Sequence, residues 1–347
     1  MKKSIVCFLC LFFLGLWLFP WQLTLAVNKT QELTQNLIVS AINKQDSSEL
    51  FPIVENEQHG FIDKTGRIAI EPQFDFAWFF SEELAGVAID SKWGFIDNTG
   101  KIVIPLQFDA ASPFEEGMAA VKIGNKWGYI DKTGKIVIPA RFADARDFVD
   151  GRAAVEIAKK WGYIDKMGRL VIPAKFEPGN RFSEGLTVVK VGDKEGYIDK
   201  MGRLVIPATF DTCWNFREGL AAVLSDFEWG FINPTGNTVI PLQFQYAGSF
   251  YEGMAGVKIS NKYGYIDKNG KMVIPPSFDE VREFSDGLAA VQIGSKWGYI
   301  DKTGKIVIKP QFASAYEFSK ELAGVEISDN RQGYIDKTGK LVWQQTN

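Results

Sequence analysis

The phrase Gly-Tyr-Ile-Asp, or its Phe or His-Gly-Phe variant, returns at Gly60, Gly94, Gly128, Gly162, Gly196, Gly230, Gly264, Gly298 and Gly333. Seven of the intervals are 34 residues and the last is 35, the extra residue falling between Val325 and Gly333. No other feature restricts the fold as much. A unit this short cannot enclose a core, so each copy has to bury its apolar side against the next. Extending the register backward aligns LFPIVENEQHGFID from Leu50 with LAGVAIDSKWGFID from Leu84, which gives nine copies from Leu50 to the C-terminus.

The punctuation inside a copy predicts its strands. AAVKI at 119–123 and KWGYID at 126–131 are separated by Gly124-Asn125, a two-residue hairpin signal. In DKTGK, Asp131 is suited to accept backbone N–H bonds at the start of a turn, and Gly134 supplies the left-handed residue. Gly holds that position in all nine copies. KIVIP then reads as a third strand that Pro139 ends. The remaining connector is about fifteen residues, too long to be structureless in a compact array. It carries Phe at 74, 108, 142, 176, 210, 244, 278 and 312, and again at 80, 114, 148, 182, 216, 250, 284 and 318. Each such Phe, if buried, contributes about 2–3 kcal/mol. Between the two Phe rows runs a row of mostly small residues, Ala77, Ala111, Ala145, Gly179, Cys213, Ala247, Val281 and Ala315, so Cys213 reads as a core residue. The 33 Gly, 27 Phe and 10 Trp agree with many turns and aromatic anchors.

The expected fold is all-β: an open, solenoid-like array of nine three-stranded antiparallel meanders. A closed propeller-like ring is the alternative. Three strands rather than four, the short repeat and the number of copies favour the open form.

The first residues, MKKSIVCFLCLFFLGLWLFPWQLTLA, place two lysines before an uncharged apolar run. Residues 1–26 read as an export signal cut after Ala26, or as an uncleaved N-terminal membrane anchor. Residues 27–49 read as a linker with one short amphipathic helix around 34–43 capping the open end, and 50–347 as the repeats. Cys7 and Cys10 lie inside the export segment, where a CxxC carries no redox or zinc role; its removal leaves Cys213 and no internal disulfide. Removing Lys2 and Lys3 changes 39 cationic against 42 acidic residues to 37 against 42, a net charge of −5, which does not favour nucleic acid. The expected location is the periplasm, the cell surface or the outside, with membrane contact only through an uncleaved N-terminus.

The elements KWGYID, GKIVIP, FD and EGLAAV, repeated in register, resemble the WG (KWG) repeat family of bacterial proteins. The resemblance covers about Leu50 to Val342 and implies a β-rich interaction module without chemistry of its own. His59, Glu195, Tyr263 and Gln332 depart from it at the Trp position, and Glu83 and Glu321 where most copies have Gly.

Catalytic signatures are thin. His59 is the only histidine and stands at a Trp position in the first copy; no GxSxG elbow, HExxH, Walker loop or dinucleotide fingerprint occurs. Acids at 82, 116, 150, 184, 218, 252 and 286 recur with the repeat, which marks them as structural or solvated. The turn aspartates lack the clustered oxygens that calcium needs. Lysines at 92, 126, 160, 262 and 296, and at 64, 132, 166, 200, 268 and 302, read as a solvated surface, with a row of contacts to an anionic polymer as the alternative. No cofactor or metal is expected. The ligand-binding candidates are Trp93, Trp127, Trp161, Trp229 and Trp297, expected to be part exposed, since the same position admits Glu195. The expected function is a noncatalytic exported scaffold for an unknown protein partner. Binding of an envelope polysaccharide through the Trp row is the first alternative, and a hydrolase using the repeat carboxylates the second.

Overall fold

The computed structural model describes residues 49–177, 180–327 and 331–346; the expected leader, the helix around 34–43 and Gly179 lie outside the described residues. Among the described residues, no helix is long and apolar enough to cross a membrane. Each copy forms one antiparallel sheet, and nine sheets follow one another along the chain. The first consists of β1 (Leu50–Glu55), β2 (Gln58–Asp63) and β3 (Ile68–Phe74). The second is built from β4 (Phe76–Ala77), β5 (Ala85–Ile89), β6 (Lys92–Ile96) and β7 (Ile102–Phe108). The third repeats it with β8 (Ala110–Ala111), β9 (Met118–Ile123), β10 (Lys126–Asp131) and β11 (Ile136–Phe142), and the later sheets follow this plan.

The strands begin where the turn chemistry predicts them, but the third does not end at Pro139 as expected: it runs on to Phe142, which pairs with Trp127 across the bulge. Asp90 and Ser91, and likewise Ser260 and Asn261, have positive φ at both positions, as a tight hairpin between the first two long strands requires. In DKTGK the Asp131 carboxylate accepts the N–H groups of Thr133 and Lys135 and the Thr133 hydroxyl, at 2.9, 3.1 and 2.6 Å. The Thr133 hydroxyl is the main reason this carboxyl titrates below the usual range. The Gly of Trp-Gly answers to a close backbone approach. A β-carbon on Gly128 would stand 2.5 Å from the Ile138 carbonyl oxygen, where the β10–β11 register slips through a bulge.

Two further expectations require correction. The connector is not strand-free: it adds a fourth strand to six of the nine sheets, two residues long in five of them, such as β8 along β9, and six residues long (Glu280–Ser285) in the other. The repeats also do not form an open array. The last copy packs on the first, with Phe51, Ile53, Ile62 and Leu322 buried together under Tyr334, Val342 and Trp343. Tyr334 Oη donates to the Pro52 carbonyl at 2.9 Å. The fold is therefore a closed nine-bladed β-propeller. The physical reason is that every blade has two apolar faces and each joint turns the chain by one ninth of a circle. An open array would leave one such face exposed at each end, and closure covers both.

The core lies between blades. A representative cluster joins Tyr129, Ile138 and Phe142 of the third blade to Ala145, Phe148, Ala153 and Val155 of the fourth. Of the two Phe rows, the second packs edge-on or tilted against the aromatic of the preceding Tyr-Ile-Asp motif, as Phe148 does on Tyr129 at 4.9 Å. The hydroxyl of that Tyr crosses the joint as well, Tyr129 Oη donating to the Arg146 carbonyl at 2.7 Å.

Radial order follows from which equivalent positions touch. Along the connector, residues about one repeat apart are in direct contact: Ser81 Oγ donates to the Phe114 carbonyl at 2.6 Å, Trp78 Nε1 to the Ala111 carbonyl at 3.0 Å, and Arg181 pairs with Asp147. Blades converge only near the axis, so the connectors form the inner rim. The third long strands occupy the opposite edge of each sheet, on the perimeter.

Candidate functional site

The recurring acids form the joints between blades. The Glu116 carboxylate accepts the Gly151 N–H of the next blade at 3.0 Å and pairs with Lys166 at 3.1 Å. The same arrangement joins Glu82 to Gly117 and Lys132, Glu218 to Gly253 and Lys268, and Glu252 to Gly287 and Lys302. On the opposite face Asp109 accepts the Gly124 N–H at 2.6 Å and pairs with Lys92 at 2.6 Å, and Asp279 does likewise with Gly294 and Lys262. Many of the lysines that could have met an anionic polymer are thus held in ion pairs. Among the described residues, no group of three or more His, Cys, Asp or Glu side chains could hold a metal ion. Burial lowers the pKa of His59, which lies against Phe76 with ring centroids 4.9 Å apart. Cys213 is buried and its thiol is pushed up to about 12, chiefly by burial, which leaves it protonated and unreactive near neutrality.

The five tryptophans do not share one environment. Trp161, Trp229 and Trp297 are 8%, 7% and 6% exposed, against the expectation of a part-exposed row. Trp93 and Trp127 are half-buried. Four of the five are covered by the residue fifteen positions earlier, on the inner rim, although Trp93 stays half-buried under its cover. Arg146 lies over Trp161 and Arg282 over Trp297, each 5.2 Å from the ring centroid. Trp214 stacks on Trp229 and Trp78 on Trp93, both at 5.9 Å. Before Trp127 the covering residue is Ser112, too small to do this. Glu195, in the Trp register, turns its carboxylate to the Cys213 N–H at 2.7 Å, which explains how an interior copy accepts it.

The inner-rim position itself, Trp78, Ser112, Arg146, Asn180, Trp214, Gly248, Arg282 and Tyr316, escaped the sequence reading. Its signal was present: it is the position after the small-residue row, and it varies in size and charge while the residues around it repeat.

At the second to fifth blades this variation opens a cleft of about 490 Å³, lined by Trp78, Trp93, Trp127, Glu115, Arg146 and Arg181 among others. The volume falls within the roughly 300–1,000 Å³ of small-molecule sites. Arg181 is paired with the buried Asp147, and the Glu115 carboxyl is raised by burial and then by the Asp147 charge. In the second and seventh blades an aromatic residue fills the place that Ala110 leaves open. Phe76 bridges His59 and Trp93, and Tyr246 bridges Trp229 and Tyr263, where the third blade has only Ala110.

No curated protein matches this sequence. In fold, the chain is similar to a crystal structure of the eukaryotic initiation factor, aligned over 86% of this chain and 96% of that one at 12% identity, with a TM-score of 0.58. BamB from Moraxella catarrhalis aligns over 86% and 98% of the two chains at 12% identity and a TM-score of 0.42. Hsv2p of Kluyveromyces lactis aligns over 67% and 94% at 10% identity and a TM-score of 0.43. At such identities the first likeness speaks to the fold alone. The pattern described as WG containing repeat matches eight consecutive segments, residues 60–93, 93–127, 127–161, 161–194, 196–226, 229–263, 263–297 and 297–330. With its Trp-Gly bulge, its turn and its blade-to-blade joints repeated through these segments, the chain belongs to the WG repeat family.

Proposed function

We propose that the protein is a noncatalytic, exported propeller scaffold that docks protein partners on its perimeter. The observation that carries this reading is the outer edge of the ring. Each of the nine third strands leaves aliphatic side chains open to solvent, among them Ile102 and Val103, Ile136 and Val137, Leu204 and Val205, and Ile306 and Val307, at 40–49% exposure. Isolated exposed aliphatics need no explanation, but an exposed aliphatic on every third strand, paired on four of them, offers a partner a repeated contact. An unused apolar edge strand is an aggregation liability, which supports its being covered in use. Pro105, Pro139, Pro173, Pro207, Pro241 and Pro275 interrupt the row of backbone donors. Strand addition along the edge is thereby blunted and side-chain docking favoured. The export part of the reading rests on the lysines and apolar run of residues 1–26.

The test is comparative capture from the native extracytoplasmic fraction, with Val103, Val137, Val205 and Val307 changed together to Lys. The variant is expected to keep its β-type circular dichroism and to lose the proteins that the parent retains. Retention of the same proteins by both would overturn perimeter docking. Turnover of a glycan or peptide substrate by the purified protein would overturn the noncatalytic part, and recovery of the intact chain from the cytoplasm the exported part.

A further inference from the structure

The geometry points to a second binding site, independent of the perimeter: the inner-rim cleft of the second to fifth blades binds a neutral oligosaccharide, with Trp127 as its platform. Three observations converge on that chemistry. First, Trp127 has lost the cover its counterparts carry. Arg146, Trp214, Arg282 and Trp78 each lie on the Trp of their own blade, whereas Ser112 is too short to do so and Trp127, half-buried, lines the cleft. An indole face opposed to the C–H side of a sugar ring offers apolar contact and a π-surface at little conformational cost.

Second, the same lining holds both acceptors and donors. Glu115 supplies carboxylate oxygens, and Arg146 and Arg181 supply guanidinium N–H groups. A sugar hydroxyl donates to the first and accepts from the second. Both arginines face an acid of the lining, Arg181 paired with Asp147 and Arg146 3.9 Å from Asp144, and Glu115 adds a further carboxyl. With no surplus of positive charge the cleft disfavours an anionic ligand, and its mixed donors and acceptors suit an uncharged polyol.

Third, the cleft is a local departure from the repeat. Its room of about 490 Å³ arises because Ala110 and Ser112 stand where the second blade has Phe76 and Trp78, and the seventh has Tyr246 in the Ala110 register. The aromatic chain that closes the rim from His59 through Phe76 to Trp93 stops at this place. One cleft, and not the whole Trp row, is therefore the glycan site.

Calorimetric titration of the purified protein with chitotriose, cellotriose and maltotriose, with decaproline as the peptide control, tests the proposal. At least one trisaccharide is expected to bind and to change the Trp fluorescence. Trp127→Ala should weaken that binding at least tenfold. Ser112→Arg should do the same by restoring over Trp127 the cover that Arg146 provides for Trp161. That second variant keeps the core intact, since Arg already occupies this position in two other blades. Absence of binding by all three trisaccharides would overturn the proposal, as would unchanged affinity in Ser112→Arg. Binding of decaproline alone would reassign the cleft to peptides and overturn it equally.

Discussion

The joint that closes the ring and the joints inside it do the same work with different residues. Inside, the second Phe of a connector fills the space between blades, and a Glu or Asp of one blade accepts a Gly N–H of the next. At the closing joint, among the described residues, the first copy brings no Phe of that register. The aromatic comes instead from β1: Phe51 occupies a register that is Ala in seven of the other copies and Thr187 in the eighth, and it packs on Tyr334 at 5.6 Å. The charges are exchanged as well. Lys320 replaces the acid, Glu49 replaces the glycine, and the two stand 3.8 Å apart. Trp343 takes the place of the Ile that ends the third strand's buried face in other blades, giving the seam additional apolar volume. The lesson is that closure rests on residues particular to the two terminal copies, complementary to each other and different from those at the same positions of the interior copies.

That comparison can be broken most strongly at Phe51. Phe51→Ala should cost about 3–5 kcal/mol, as much as Phe114→Ala in an interior joint, because each removes the aromatic that fills its gap. Urea unfolding midpoints of the two variants measure it, and an unchanged midpoint for Phe51→Ala would mean that the seam adds nothing to stability. A middle-sized effect separates Gly66 from Gly134. Both have positive φ, +85° and +81°, so Ala at either carries a backbone cost of about 1–2 kcal/mol. At Gly66 the added β-carbon would also stand 1.9 Å from the Val342 carbonyl oxygen across the seam, whereas at Gly134 it meets the Ile104 side chain at 3.0 Å. Gly66→Ala should therefore lower the thermal midpoint by clearly more than Gly134→Ala, and equal shifts would argue against tight contact at closure. The smallest effect sharpens the comparison. Lys320→Glu should destabilise by at most about 1 kcal/mol, since the pair is exposed, and less in high salt. Adding Glu49→Gly should recover that loss, because it recreates the interior arrangement of a Glu above a Gly N–H. A double variant no more stable than Lys320→Glu alone would show that the exchanged charges are incidental.

Much of the architecture was legible before any coordinates. The hairpin at Gly124-Asn125, the turn set by Asp131 and Gly134, and the three long strands are local matters, decided by φ preference and by hydrogen bonds spanning a few residues. The Phe rows and the structural nature of the recurring acids were legible for a different reason. A feature repeated in every copy has to serve what every copy shares. Trp161, Trp229 and Trp297 were misjudged because their burial depends on a neighbour fifteen residues away, and that neighbour varies. Ser112, one of the two small residues that open the cleft, is conspicuous only once the fold has laid the inner rim over the Trp-Gly strands.

Closure itself lay beyond local reading. Strand, turn and blade follow from residues within one copy, whose preferred torsions and alternating polarity are read over short distances. Whether nine such blades coil past one another or meet depends on a small rotation at each joint, summed around the ring, and no single copy encodes that sum. The meeting of Phe51 with Tyr334, and the cleft left by two small residues on the rim, exist only after the sum has come out to a full turn.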